Sequence, residues 1–282
     1  MVISVDAQAI AARLEPRFGK AVQRWVAALP ERLSALTAAW QLEIGPELNS
    51  GSSSVVLSCF GPQGEMILKL SPDARGIAEQ ADALRQFAPS GRVPAVFAAG
   101  QGAVLMEAIH PGTPVRGLPA PPDASEYASF LADLHAAGDP AAAPRKLTDW
   151  MSWHFTVADF LGGAGIEQAR SEFEELLATS TDNVLLHGAL HFGNILASDS
   201  RGLIAVGSHA CSGDPCYDVV DYILEGLDRA EMIRRRDALA VATGIDPERL
   251  DAWCRVSGPI GAAYLSDPEH CVELRAFARG EY

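Results

Sequence analysis

Residues 42–72 read LEIGPELNSGSSSVVLSCFGPQGEMILKLSP, and residues 74–87 read ARGIAEQADALRQF. The first segment predicts two or three strands. Aliphatic and β-branched residues alternate with polar ones, a Gly/Ser turn spans 49–54, and GPQG at 61–64 makes a hairpin connection. The second segment carries apolar residues at helical spacing, so strand gives way to helix across Ser71–Asp73. Working outward, residues 7–40 contain IAARL, VQRWVAAL and LSALTAAW, a helical texture in which Pro16 and Pro30 are placed to start or break helices. AVFAAGQGAVLMEAI at 95–109 gives two further short strands. After Pro111 the pattern turns helical, over 123–137, 147–160 and 166–179. A loop, a strand pair and a helix follow in NVLLHGALHFGNILA, GLIAVGS and GDPCYDVVDYILEGL, and residues 229–279 are mostly helical. The reading is α+β: a sheet-rich lobe with its leading helices over 1–107, a larger helical lobe over 108–282, a hinge near Glu107–Ile109, and a ligand cleft expected between the lobes.

A chain of 282 residues with 48% hydrophobic content can bury one large domain or two lobes. The net charge of −14 argues against nucleic acid or an anionic membrane surface as partner, because both call for basic patches. The RRR run at 234–236 is short and sits in an acidic chain, which suits a solvated helix face. Five cysteines without a CxxC pair fit reduced thiols better than a disulfide framework or a zinc site. The N-terminal residues carry charges that interrupt every apolar run, unlike a signal peptide, and no stretch approaches the ~18 apolar residues of a membrane span. A cytoplasmic, soluble protein is the expectation.

Four features then stand in the order that kinase-type phosphoryl transfer requires. The Gly/Ser turn, with Gly51 and Ser52, could cover phosphates with backbone N–H groups. Lys69 lies in an apolar strand. Glu79 lies in the next helix, spaced to ion-pair with that lysine as active kinases need. HGALHFGN (187–194) and LIAVGSH (203–209) stand where a catalytic loop and a metal-binding loop would succeed one another across a short hairpin.

With these residues in view, the chain resembles the aminoglycoside phosphotransferase family, and most nearly its streptomycin 6-kinase branch. The segments carrying the resemblance are RFGKAVQRWVAALPERLSALTAAWQLEIG, MILKLSP with EQADALR, VLMEAIHPGTPV, LLHGALHFGNILA, GDPCYDVV and RRRDALAVATGIDPERLDAW. The resemblance implies a two-lobed protein-kinase-like fold, ATP with magnesium, and transfer of phosphate to a hydroxyl of a small polycationic acceptor. Carried over residue by residue, it makes Lys69, Glu79, Gly51, Ser52, Glu107 and Asn194 candidates for holding the nucleotide. His187, His191, Asp214 and Asp218 also match the family pattern.

Two positions depart from it. The family's catalytic loop has the pattern HGDxHxGN, and its aspartate, which orients the acceptor hydroxyl and takes its proton, is Ala189 here. The next strand in the family ends in an aspartate that holds magnesium, usually within IDPKG; the matching stretch is VGSHA, with Gly207 at that position. Neither replacement offers a side-chain oxygen to a hard cation. The expectation is therefore a degenerate site with no metal ligand set and no required cofactor, in which ATP binds weakly and without firm magnesium dependence.

Three functional readings follow. In the first, the site is reassigned to binding a small molecule or to non-phosphoryl chemistry, in specialised metabolism. His209 is then the newcomer able to exchange a proton near neutral pH, with His187 and His191 beside it. Trp150, Trp153 and Cys211 are candidate substrate contacts. In the second, the chain is a pseudokinase binding or partner module that retains a nucleotide. In the third, it is a residual aminoglycoside-type O-phosphotransferase. Trp25, Trp40 and Trp253 fall on apolar helix faces and are expected to pack in the core. The oligomeric state is not fixed by the sequence.

Overall fold

The protein is described from a computed structural model that covers residues 6–48, 51–180 and 183–281. It divides into two compact units: residues up to Arg85 together with Pro94–His110, and Gln86–Val93 together with Pro111 onward.

The N-terminal unit is built on the alternation seen in the sequence. Three helices, α1 (Ala7–Phe18), α2 (Val22–Ala27) and α3 (Leu29–Trp40), lead into strands β1 (Glu43–Glu47), β2 (Val55–Gly61) and β3 (Gly64–Leu70). Helix α4 (Ala74–Phe87) follows, then β4 (Val96–Gly100) and β5 (Ala103–Glu107). The five strands form one antiparallel sheet in the order β1-β2-β3-β5-β4. Val55, Leu57 and Cys59 of β2 and Met66, Leu68 and Leu70 of β3 turn inward, where they cluster with Leu14, Leu29, Leu33 and Leu36 of the leading helices. Each such side chain contributes roughly 1.5–3 kcal/mol of burial. Pro46 sits on the edge strand β1, where no ladder partner needs its missing N–H. Pro30 lies in the first turn of α3, a position that tolerates it, whereas Pro16 is accommodated near the end of α1 without ending it.

The C-terminal unit begins with the strand β6 (Pro111–Pro114), which the sequence reading did not anticipate. Helices α5 (Ala124–Ala137), α6 (Leu147–Phe160) and α7 (Ile166–Thr179) are followed by the short strands β7 (Val184–Leu186), β8 (Ile195–Ser198), β9 (Gly202–Ala205) and β10 (Cys211–Gly213). Helices α8 (Cys216–Leu224), α9 (Arg229–Thr243), α10 (Pro247–Tyr264) and α11 (Pro268–Ala278) complete it. Strands β6, β8 and β9 form one small sheet and β7 with β10 another. The last residues of α4 and the turn after them, Gln86–Val93, belong to this unit. Arg92 anchors them by donating from Nε to Asp133 (2.9 Å) and from Nη1 to the Arg201 carbonyl.

Tyr127, Phe130, Phe155, Trp253 and Phe277 fill the core of this unit. Beneath them Asp214 gathers four donors: Arg249, Ser180 Oγ (3.2 Å), Trp253 Nε1 (3.3 Å) and the Cys216 N–H (2.9 Å). Trp25 and Trp40 pack against the N-terminal core. No helix among the described residues is long and apolar enough to cross a membrane.

Candidate functional site

In the N-terminal unit, Lys69 lies one residue before the end of β3, opposite Val56 of β2 and Val104 of β5. Its Nζ donates to Gln80 Oε1 at 2.8 Å. This corrects the expected pairing with Glu79, whose carboxylate instead accepts from Arg75 Nε one helical turn away (2.7 Å). Neighbouring helical residues point about 100° apart, so of Glu79 and Gln80 only Gln80 faces the strand. A neutral amide therefore stands where an active kinase needs a carboxylate. Burial, with Arg17 nearby, lowers the Lys69 pKa to about 8.

The Gly/Ser turn is held by its carbonyls. Arg13 Nη1 donates to the carbonyls of Gly51 and Ser54, the latter at 2.7 Å, and Ser71 Oγ donates to the Ser53 carbonyl at 2.7 Å. Ser52 lies between these anchor points, and residues 49 and 50 of the expected turn are outside the described residues. Glu107 closes β5, its carboxylate accepting from the Ala95 N–H (3.0 Å).

In the C-terminal unit, loop 187–194 leaves β7 and is threaded onto one face of α8. Asp218 accepts from the backbone N–H groups of His187 (2.7 Å) and Gly188 (2.9 Å). Asp221 takes the Leu190 N–H. Glu225 takes the Phe192 N–H (3.0 Å) and an ion pair from Arg116. The three carboxylates are spaced i, i+3, i+7 and so share that face. Asp218 and Asp221 are shifted in opposite directions. Burial opposes the charge on Asp218, yet the hydrogen bond from His135 and the neighbouring backbone N–H groups hold its carboxyl below the usual range. For Asp221, burial together with the charges of Glu225 and Asp218 raises the pKa to about 7.

The histidines of the loop are not poised for proton transfer. His187 is fully buried, neither ring nitrogen makes a hydrogen bond of normal geometry among the described residues, and burial lowers its pKa to about 4. His191 Nδ1 is likewise buried without a partner, and burial followed by Arg116 lowers its pKa. Their place in the loop is structural: the His187 carbonyl accepts from the His209 N–H (2.9 Å) and Ser208 Oγ (3.0 Å), and the His191 carbonyl accepts from the Asn194 N–H (2.8 Å).

Ala189, Asn194 and Gly207 come together. Asn194 Nδ2 donates to the Ala189 carbonyl at 3.0 Å, and the Asn194 carbonyl accepts from the Val206 N–H at 2.8 Å. Gly207 has φ +75°, and a Cβ built there would lie 2.8 Å from Asn194 Oδ1. The asparagine amide thus occupies the space that a side chain at 207 would need. Magnesium prefers an octahedral set of oxygens that includes carboxylates. Here the local donors are one amide oxygen and backbone carbonyls, and no group of three or more His, Cys, Asp or Glu among the described residues is arranged to hold a metal. The residues present do not fit the magnesium that the fold family implies.

Beside this loop stands a column of rings. Trp150 stacks on Trp153 on one side (centroids 5.2 Å, 7° between planes) and on His209 on the other (5.0 Å, 18°). Trp150 Nε1 donates to the Gly188 carbonyl (3.2 Å), which ties α6 to the loop. His154 meets both tryptophans edge-on and its Nδ1 lies 2.9 Å from the Tyr264 hydroxyl. Trp153 remains 44% exposed, so the column reaches solvent. Cys211 does not join it. It is fully buried in β10, and burial pushes its thiol pKa well up, so the expectation of a substrate contact there is corrected to core packing. All five cysteines are buried and free.

Residues 39–268 match the description aminoglycoside/hydroxyurea antibiotic resistance kinase. The chain belongs to that family. A hydroxyurea phosphotransferase of Kitasatospora aureofaciens is 28% identical over 267 residues, spanning 89% of this chain and 77% of that protein. A streptomycin 6-kinase of Streptomyces glaucescens is 26% identical over 272 residues, spanning 86% and 85%. Among solved structures, the macrolide 2'-phosphotransferase of Brachybacterium faecium aligns with a TM-score of 0.59 at 19% identity, over 88% of this chain and 97% of that one. The fold is the kinase-like α+β fold, with an antiparallel sheet in one unit and helices dominating the other.

Several residues of this site were not legible in the sequence. Spacing alone does not separate Gln80 from Glu79 as the Lys69 partner, because the helix phase is set by packing. Arg13, Asp221, Glu225, His154 and Tyr264 act through partners 30 to 110 positions away in the chain, and spacing carries no signal for that. Asp221 and Glu225 alone could have been found, as carboxylates at helical spacing after Asp218.

Proposed function

We propose that this kinase-family chain does not transfer phosphate and instead binds a small molecule on its C-terminal unit, beside loop 187–194. The observation that carries this reading is the closure of Asn194 over Gly207. In support of it, the Asn194 amide, hydrogen-bonded to the Ala189 carbonyl, lies 2.8 Å from where a Cβ at position 207 would stand. Loss of the base alone would cost about 10²–10⁴ in rate. Gln80 opposite Lys69 removes a further charge that phosphoryl transfer relies on.

The ligand surface is the ring column. Trp150 and Trp153 provide flat apolar area, and His209 is the side chain placed for any proton exchange, its ring stacked on Trp150 and its backbone N–H committed to the His187 carbonyl. His187, buried, and His191, half-buried, both have their pKa lowered by burial and serve to orient the loop. The net charge of −14 disfavours nucleic acid as partner. Pathway placement in specialised metabolism rests on the relatives, which are named for streptomycin and hydroxyurea.

The test is acceptor-dependent ATP turnover with streptomycin and with hydroxyurea, set beside tryptophan fluorescence titrations of the same compounds. Turnover that rises with acceptor, needs magnesium and disappears in Lys69→Ala overturns the reading in favour of a residual phosphotransferase. A second reading, a nucleotide-retaining pseudokinase, is favoured by one observation: Lys69 faces a neutral partner and keeps its charge for an anion. Calorimetry with ATP, with and without magnesium, decides it; binding lost in Lys69→Ala and indifferent to magnesium supports that module.

A further inference from the structure

The N-terminal unit contains a solvent-open cavity of about 410 Å³, within the size range of small-ligand pockets. Its apolar wall comes from Ala74, Ile77 and Ala78 in the first two turns of α4 and from Ala103 at the start of β5. Its polar groups are Arg32 of α3 and Gln101 of the β4–β5 turn. We propose that this cavity binds a small amphipathic monocarboxylate, with the carboxylate held by Arg32 and the Gln101 amide and the apolar part lying on Ala74, Ile77, Ala78 and Ala103.

Three independent observations support it. The first is charge. Arg13, Arg75 and Arg85 in the same unit each hold a carboxylate. The Arg32 guanidinium takes part in no hydrogen bond or ion pair among the described residues, although the chain carries a net −14. A planar guanidinium at the mouth of an apolar cavity matches a carboxylate bidentately.

The second is backbone geometry. Gln101 has φ +56°, and among the described residues only Gln41 shares a left-handed φ without being glycine. Two-residue hairpin turns of this hand favour Asn or Gly, and a residue kept in αL against its preference marks a candidate functional position. Gln41 ends a helix, where αL is ordinary; Gln101 shares the β4–β5 turn with Gly102 (φ +73°), whose hand calls for Asn or Gly at both places, so glutamine is the less favoured choice at a residue that lines the cavity.

The third is composition. The wall is made of alanines and one isoleucine, so the space is left by small side chains and the surface asks for an aliphatic or aryl group. A single cation and the absence of acidic residues from the lining exclude a metal and disfavour a polyanion.

The site also bears on Lys69. Ala78 lies two residues before Gln80, the Lys69 partner, and Ala103 and Val104 pair with Leu70 and Lys69 of β3. An occupant therefore rests on both elements that hold Lys69. None of this depends on how the C-terminal unit is read.

The experiment is isothermal calorimetry of the full chain with octanoate, hexanoate, octan-1-ol and octylammonium. Octanoate is expected to bind saturably at one site per chain. Two extra methylenes, partly buried, make octanoate about tenfold tighter than hexanoate. Octan-1-ol and octylammonium bind at least about tenfold more weakly than octanoate, since neither meets the guanidinium as an anion. Arg32→Glu abolishes octanoate binding and Ala78→Phe, which fills the cavity, does the same through a different wall. Gln101→Gly relieves the turn, raises the melting midpoint by roughly 2–4 °C, and weakens octanoate several-fold. Binding of octanol equal to that of octanoate, or octanoate binding indifferent to both Arg32→Glu and Ala78→Phe in variants that melt like the parent, overturns the proposal. So does sedimentation showing two copies joined through this face in a manner that Arg32→Glu dissolves.

Discussion

Placing carboxylates at positions 189 and 207 is expected not to produce a kinase, and the reason is measurable at Gly207. A Cβ there would stand 2.8 Å from Asn194 Oδ1, 3.0 Å from Cγ and 3.1 Å from Nδ2, so the whole amide must move. Moving it strains the Asn194 Nδ2 bond to the Ala189 carbonyl, worth at most about 1 kcal/mol net. The left-handed backbone at φ +75° costs a non-glycine residue roughly a further 1–2 kcal/mol. Gly207→Asp is therefore expected to lose about 2–3 kcal/mol, which lowers the melting midpoint by roughly 5–10 °C for a chain of this size. Gly207→Ala should lose nearly as much, because the Cβ and not the carboxylate causes the conflict. Ala189→Asp, at a half-buried position whose backbone is already ordered by α8, should melt within about 2 °C of the parent. The assay is differential scanning calorimetry of the three variants and of Ala189→Asp/Gly207→Asp, followed by magnesium-dependent ADP release with streptomycin as acceptor. If Gly207→Asp melts like the parent and the double variant gains acceptor-dependent turnover, the site is open, and the closure of Asn194 over Gly207 does not carry the argument built on it.

Three further outcomes are expected. Asp221, raised to about 7 by burial and its carboxylate neighbours, keeps in the folded state a proton that the unfolded chain releases above about pH 4. Its contribution to stability is thus favourable at acid pH and is lost as pH rises from about 4 to 7; Asp221→Asn should flatten that slope and stabilise the protein at pH 8 by at most about 4 kcal/mol, less for a half-buried group, as read by urea denaturation across pH. Gln80→Glu places a carboxylate 2.8 Å-bond distance from Lys69 Nζ and should lift the Lys69 pKa above its present value of about 8, followed by NMR of the dimethylated lysine; an unchanged value means that the amide does not face the amine. Asp214→Ala strips the partner from Arg249 and the acceptor from Trp253, and should cost about 3–5 kcal/mol in denaturant, whereas a loss below 1 kcal/mol would make the cluster incidental.

The strand and helix order was readable from residues 42–87 outward because period-2 and period-3.6 patterns are local, and burial later obeys them: Val55, Leu57, Met66 and Leu68 alternate inward as their spacing requires. The residues at the two departing positions were also legible, since Ala189 and Gly207 are fixed by their distance along the chain from His187 and from the strand that ends at Ala205. What the residue at a position faces was not. Glu79 and Gln80 are equally plausible partners for Lys69 by count, and only the packing of α4 on the sheet turns one of them, rotated 100° from the other, toward the amine. Cys211 follows a strand end and looks available, yet pairing of β10 with β7 buries it completely. The charge on Asp221 depends on two other carboxylates arriving on the same face of α8 and on a loop laid over them. Gly207 could be read as an absence; that the absence is filled, by an amide reaching across from Asn194, is a matter of where two separate segments meet, and a one-dimensional sequence holds no record of that distance.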